Sequence, residues 1–92
     1  MKNKNLSKIR IKLDKLDEAL LKLFKKRTNL VDQILKLKKF KKEIVDKKRI
    51  KNILKRIKMR SKQKGIDPKI TVNIWDTIIK SYIKYEYRNF KK

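Results

Sequence analysis

Residues 6–40 read LSKIRIKLDKLDEALLKLFKKRTNLVDQILKLKKF, and neither proline nor glycine interrupts them. Positions separated alternately by four and three residues are apolar, with Arg27 as the exception: Ile9, Leu13, Leu16, Leu20, Leu23, Arg27, Leu30, Ile34 and Leu37. This spacing is typical of one amphipathic helix with a narrow apolar face. The pattern predicts a first helix that is capped by Asn5 or Ser7, ends near Lys42 and is about 50 Å long.

The length of this helix has a consequence for assembly. A compact monomer of 92 residues has a radius of gyration of about 12 Å. A helix of about 50 Å is too long for such a monomer, so its apolar face needs partners beyond the rest of its own chain. A homodimer of intertwined helices is the economical solution, and we expect one.

Two shorter helices are predicted after the first. Following a connection at residues 43–45, Asp46 has the character of an N-cap, and the second helix should run to about Lys62. Residues 64–68 read KGIDP, so the glycine can end that helix in a left-handed conformation, and the aspartate and proline can begin the next. The third helix should run to about Phe90. The sequence therefore predicts a single all-α domain over residues 1–92, with one long, one short and one medium helix.

The composition excludes several kinds of chemistry. The chain has no cysteine and no histidine, so it lacks thiolate and imidazole ligands, a cysteine nucleophile and the commonest general base. No apolar run approaches the roughly 20 residues of a membrane span, and the start lacks the apolar region of a signal peptide. We expect a soluble, cytoplasmic protein without a metal, a cofactor or a membrane association.

The net charge of +22, from 31 basic and 9 acidic residues, is compatible with a nucleic-acid-binding protein. Nearly all of the positive charge is lysine, however, and abundant isoleucine and asparagine accompany it. That combination is typical of compositional drift in which lysine fills tolerant surface positions. We favour this interpretation, which makes a nucleic-acid partner the weaker alternative. The few arginines then become informative, because a guanidinium binds a carboxylate through two parallel hydrogen bonds and lysine cannot.

Charged residues interrupt the apolar faces at a small set of positions: Arg10, Arg27, Lys38, Arg49 and Glu86. Together they predict an apolar pocket in a helical bundle that receives a compact dianion. On one continuous helix, Arg27 and Lys38 would share a face about 16 Å apart, which leaves room for one small molecule. Arg10 and Lys38 would be about 42 Å apart. If both serve one site, Arg10 must come from an antiparallel partner chain.

The spacing of these charged positions is similar to that of a known enzyme family. The arrangement resembles the all-helical chorismate mutases over nearly the whole chain, and its most specific part is the spacing from Arg10 through Arg27 to Lys38. The resemblance implies three-helix protomers in an intertwined homodimer with two equivalent sites. It also implies an isomerase that converts chorismate to prephenate, without a cofactor, in phenylalanine and tyrosine biosynthesis.

The resemblance further implies a role for each site residue. Arg10 would reach the partner's site, where it and that chain's Arg27 would hold the substrate carboxylates. Lys38 and Glu86 would face the ether oxygen of the breaking bond, so that the catalytic set is Arg27, Lys38 and Glu86. The full substrate-binding set is Arg10, Arg27, Lys38, Asp46, Arg49, Tyr82 and Glu86.

Two positions depart from the mutase pattern. Many mutases carry a glutamate directly after the second-helix arginine, and Ile50 stands there in this chain. Tyr82 stands where a small hydroxyl residue is common. Both departures are similar to isochorismate-pyruvate lyases, which share the fold and form salicylate. Three alternatives therefore stay open from the sequence: a chorismate mutase, an isochorismate-pyruvate lyase and a basic helical nucleic-acid-binding protein.

Overall fold

The computed structural model describes residues 4–91, and every regular element in this range is helical. The elements are α1 (Lys4–Leu37), a short 3-10 helix (Lys41–Glu43), α2 (Lys47–Gln63) and α3 (Pro68–Asn89). The chain divides into two compact units, Met1–Gln33 and Ile34–Lys92. The all-α fold class is therefore confirmed. Within residues 4–91, no helix combines the length and the apolar character that a membrane span requires.

The first unit consists of α1 up to Gln33. Its apolar face is uncovered in the single chain, because more than half of the surface is exposed for each of Ile9, Leu13, Leu16, Leu20, Leu23 and Leu30. Asn5 and Ser7 lie inside α1, which begins at Lys4. The prediction that one of them caps the helix is wrong, since a capping residue has to precede the first turn.

The predicted end of α1 near Lys42 is also wrong, because the helix ends at Leu37. The backbone N–H groups of Lys39 and Phe40 donate to the Glu43 carboxylate, at 2.6 and 3.1 Å. The Glu43 side chain thus accepts hydrogen bonds from two backbone amides that would donate to backbone carbonyls if the helix continued. Lys38 is the first residue after α1, so the continuous helix that was assumed between Arg27 and Lys38 ends one residue before Lys38.

The connection to α2 covers residues 38–46 rather than 43–45. It contains the 3-10 helix and then Ile44, which is only 3% exposed. Asp46 caps α2 as predicted, because its Oδ1 accepts the backbone N–H of Arg49 at 3.0 Å. The connection is therefore held by hydrogen bonds at both ends and by a buried side chain near its centre.

The turn between α2 and α3 follows the prediction closely. Gly65 has a φ of +72°, Asp67 Oδ1 accepts the backbone N–H of Lys69 at 2.9 Å, and Pro68 opens α3. The two helices pack against each other, and the Ser61 and Thr71 hydroxyls share a hydrogen bond of 2.5 Å at the contact. Along α3, residues spaced alternately by three and four face inward: Val72, Trp75 and Tyr82 are half-buried, and Ile79 and Glu86 are buried.

Candidate active site

Lys38 and Glu86 form an ion pair inside the Ile34–Lys92 unit. Lys38 Nζ lies 2.9 Å from Glu86 Oε1, and the two side chains are only 19% and 10% exposed. The residues are 48 positions apart in the sequence. Lys38 comes from the first position after α1, while Glu86 lies one turn from the end of α3. Two of the predicted site residues are therefore brought together by the fold.

Burial of this pair has an energetic cost. Removing a carboxylate or an ammonium from water costs several kcal/mol, and glutamate and lysine are almost never fully buried unless they are paired. Apolar side chains of similar volume are often as stabilising as a buried ion pair, or more so. A contribution to stability is therefore a weak explanation for the pair.

The geometry also leaves the pair able to bind a ligand. An ammonium group carries three N–H donors, of which one is directed at Glu86 Oε1. The remaining donors of Lys38 can reach an oxygen atom of a bound molecule. Tyr82 lies one turn before Glu86 on α3, where residues four apart share a face. Its ring makes an edge contact with the Tyr85 ring, with centroids 6.1 Å apart.

The other predicted site residues lie on two further segments. Arg10 and Arg27 belong to α1 in the Met1–Gln33 unit, where Arg10 is exposed and Arg27 is half-buried. Asp46 and Arg49 are both exposed at the start of α2. The observed role of Asp46 is structural, since its carboxylate caps α2 through the Arg49 amide.

A sequence profile of the family described as chorismate mutase type II matches residues 9–87 of the 92. This chain belongs to the chorismate mutase type II family. It is therefore an isomerase of aromatic amino acid biosynthesis, and chorismate is the substrate that the family implies. The matched range contains all seven residues of the predicted substrate-binding set. Searches of curated proteins and of solved structures found no match.

This chorismate mutase family member also has an open surface groove. One face of α2 lines it, through Asn52, Lys55, Arg56, Lys58, Met59 and Lys62. None of these residues belongs to the predicted site. The buried ion pair is the better guide to the chemistry, because it brings two reactive groups within hydrogen-bonding distance, whereas the groove is open to solvent.

Sequence reasoning missed the structural role of Glu43, which it placed in a plain connection. The backbone N–H groups of Phe40 and then of Lys39 hold the pKa of Glu43 below its usual 4.5, and the charges of Lys38 and Lys42 act in the same direction. The sequence did contain an indication of this role, namely two acidic residues within a lysine-rich segment. Residues 38–48 of this mutase family member read KKFKKEIVDKK, and its two acids, Glu43 and Asp46, both accept backbone N–H groups.

Proposed function

We propose that this protein rearranges chorismate to prephenate for phenylalanine and tyrosine biosynthesis, as a homodimer with two equivalent sites. The observation that carries the proposal is the largely buried Lys38–Glu86 pair, in a chain that belongs to the chorismate mutase type II family. The pair joins the two residues that the family resemblance assigns to the ether oxygen of the substrate.

The reaction suits the residues of this chain. It is unimolecular: the ether C–O bond breaks while a C–C bond forms, and no proton, electron or group leaves the substrate. The protein has to hold the reactive conformer and stabilise the negative charge that develops on the ether oxygen. We assign the second task to Lys38, which can donate one N–H to that oxygen while Glu86 accepts another.

Glu86 has two possible contributions to this step. As a carboxylate it accepts the Lys38 hydrogen bond and orients the ammonium group, as the 2.9 Å contact supports. As a carboxylic acid it is itself a donor, and it can supply a second hydrogen bond to the ether oxygen. Glutamine at this position would keep a donor in every protonation state.

The substrate carboxylates are assigned to arginines. Arg27 would bind one carboxylate through a two-point guanidinium contact in its own site. Arg10 and Arg27 are separated by about 25 Å along α1, so they are poorly placed to share one small substrate. This distance supports the assignment of Arg10 to the partner's site. Arg49, Asp46 and Tyr82 complete the proposed substrate-binding set.

The exposed face of α1 supports the homodimer. Contiguous exposed apolar surface of this extent marks a protein interaction site, and the face contains the residues that sequence periodicity had predicted to be buried. A second copy of α1 would cover it. The cytoplasmic location stays a prediction, and a nucleic-acid partner stays the weaker alternative.

The decisive experiment is incubation with chorismate and, separately, with isochorismate, followed by identification of the products. We expect prephenate from chorismate. Lys38→Met should abolish turnover, because it removes the donor to the ether oxygen. Lys39→Met is the matched control, since Lys39 is an exposed neighbour whose backbone N–H survives the change. A folded wild-type protein that turns over neither substrate would disprove the proposal.

An isochorismate-pyruvate lyase is the second candidate, and two residues favour it. Ile50 and Tyr82, both half-buried, stand where mutases commonly carry a glutamate and a small hydroxyl residue. This activity would give salicylate and pyruvate from isochorismate. If the lyase is the true activity, Ile50→Glu should lower isochorismate turnover, whereas in a mutase the same change should preserve or raise chorismate turnover.

A further inference from the structure

We infer that Glu43 is a positioning residue for Lys38, because it holds the turn from which the Lys38 side chain reaches Glu86. Its Oε2 accepts the backbone N–H groups of Lys39 and Phe40, the two residues that directly follow Lys38. The catalytic consequence of this inference rests on the proposed function, in which Lys38 contacts the substrate. The structural consequence, that Glu43 holds the turn after α1, is independent of the proposed function.

Glu43 competes directly with the continuation of α1. In a longer helix, the amides of Lys39 and Phe40 would bond to the carbonyls of Leu35 and Lys36, four residues earlier. In the structure the Lys38 amide donates to the Leu35 carbonyl at 3.2 Å, and the next two amides turn to Glu43. The Glu43 carboxylate therefore stabilises the turn against the helix.

The helical alternative is accessible to this sequence. Lysine is a good helix former, and lysines near the C-terminal end of a helix interact favourably with its dipole. Residues 38–42 read KKFKK, and their composition was the reason to expect a helix as far as Lys42. If α1 extended through these residues, Lys38 would take the helical backbone conformation instead of the one from which its side chain reaches Glu86.

A second anchor lies immediately after Glu43. Ile44 is 3% exposed and its N–H donates to the Lys41 carbonyl at 3.0 Å, while the Glu43 N–H donates to the Phe40 carbonyl at 3.0 Å. Burial holds the chain at Ile44, and α1 holds it at Leu37. The Glu43 side chain fixes the segment between them, which begins with Lys38.

The anchor acts in the ionised state of Glu43. This fully exposed carboxylate faces the charges of Lys38 and Lys42, and its pKa lies below the usual 4.5 because the ionised form accepts the two amides. A lowered folded-state pKa means that the contribution to stability is complete above about 4.5 and is lost as the pH falls through the lower value. The turn is therefore anchored throughout the neutral range.

The test compares Glu43→Ala and Glu43→Gln with Lys41→Ala, a change of another exposed charged residue in the same 3-10 helix. We expect kcat for Glu43→Ala to fall about 10- to 100-fold with little change in KM, since a misplacement of about 1 Å can cost 10²-fold. Glu43→Gln should recover most of kcat, because its amide oxygen still accepts N–H donors. Lys41→Ala should stay within about twofold of wild type.

Amide proton shifts in NMR spectra supply a readout that is independent of activity. In wild type, the Lys39 and Phe40 amide signals should follow the titration of Glu43 below pH 4.5, and in Glu43→Gln they should not. This comparison decides the structural part even if Glu43→Ala does not fold.

Two outcomes would overturn the inference: a kcat for Glu43→Ala equal to that of Lys41→Ala, or wild-type amide signals that do not respond to pH. Wild-type protein without turnover of chorismate or isochorismate would instead disprove the proposed function, and the amide shifts would still test the turn.

Discussion

Acidic residues are scarce in this chain, nine against 31 basic ones, and several of them have defined structural partners. Glu43, Asp46 and Asp67 accept backbone N–H groups at the ends of helices. Glu86 and Asp76 pair with lysines at 2.9 Å. When most surface positions carry lysine, the presence of a lysine at one position is weak evidence for a structural or functional role. An acid is more informative, because each of these five carboxylates accepts a hydrogen bond from a specific N–H group.

Arg27 provides the first test at the residue scale. Arg27→Leu should preserve the helical fold but lower kcat/KM at least about 100-fold, since a hydrogen bond to a charged group contributes about 1.5–3 kcal/mol and the substrate loses two of them. Arg27→Lys should also be poor, because an ammonium cannot reproduce the two-point contact. Steady-state kinetics and circular dichroism measure these effects, with the exposed neighbour Lys26→Leu as control. Near-normal activity in Arg27→Leu would refute the assignment.

Glu86 provides a pH-dependent test. If Glu86 acts as a carboxylic acid that donates a hydrogen bond to the ether oxygen, wild-type kcat should decline as the pH rises, because a carboxylate has no proton with which to donate. Glu86→Gln keeps an N–H donor at every pH, so its profile should be flat in the same range, with activity preserved near neutrality. The measurement is kcat against pH for both proteins. Identical profiles would show that Glu86 acts on Lys38 alone.

Glu86→Ala tests the same pair through stability. Without its partner, the Lys38 ammonium would be left largely buried, which should lower the free energy of unfolding by about 3 kcal/mol. Denaturant unfolding measures this change, and kcat should fall at every pH. The double variant Lys38→Met/Glu86→Leu removes both charges, and it should recover stability while remaining inactive. Recovery of activity in the double variant would contradict a catalytic role for the pair.

At the scale of the elements, Gly65 is the position with the clearest requirement. Its φ of +72° lies in the left-handed region, and an added Cβ would meet no atom within 4 Å. The cost of Gly65→Ala is therefore backbone strain alone, which we expect to lower the free energy of unfolding by about 1 kcal/mol. Gly65→Asn should cost less, because asparagine tolerates this conformation better. Thermal unfolding compares both with Lys64→Ala, and a fully stable Gly65→Ala would contradict the C-cap assignment.

At the scale of the whole molecule, the exposed face of α1 predicts a dimer. Light scattering at micromolar concentration should give about twice the chain mass of 11.2 kDa. Leu20→Lys should favour the monomer and lower activity, since a lysine would be desolvated at the interface and Arg10 would no longer reach a partner's site. Lys22→Ala, on the same helix, is the control. A stable monomer with full activity would rule out the shared site.

The sequence alone determined the helical class, the turn at Gly65 and the caps at Asp46 and Asp67. These features depend on interactions within a few residues, such as apolar periodicity and hydrogen bonds between a side chain and a nearby amide. It also identified Lys38 and Glu86 as exceptions on apolar faces. The end of α1 was mispredicted because residues 38–42 suit a helix, and the outcome depended on the Glu43 carboxylate and on the burial of Ile44.

Only the tertiary structure decided that Lys38 meets Glu86. The two residues lie 48 positions apart, and no local propensity relates them. Their contact follows from the packing of α2 on α3, which turns Glu86 inward, and from the early end of α1, which releases Lys38 from the helix. The buried Glu86 carboxylate then requires a cationic partner, because an unpaired charge away from water costs several kcal/mol of folding free energy.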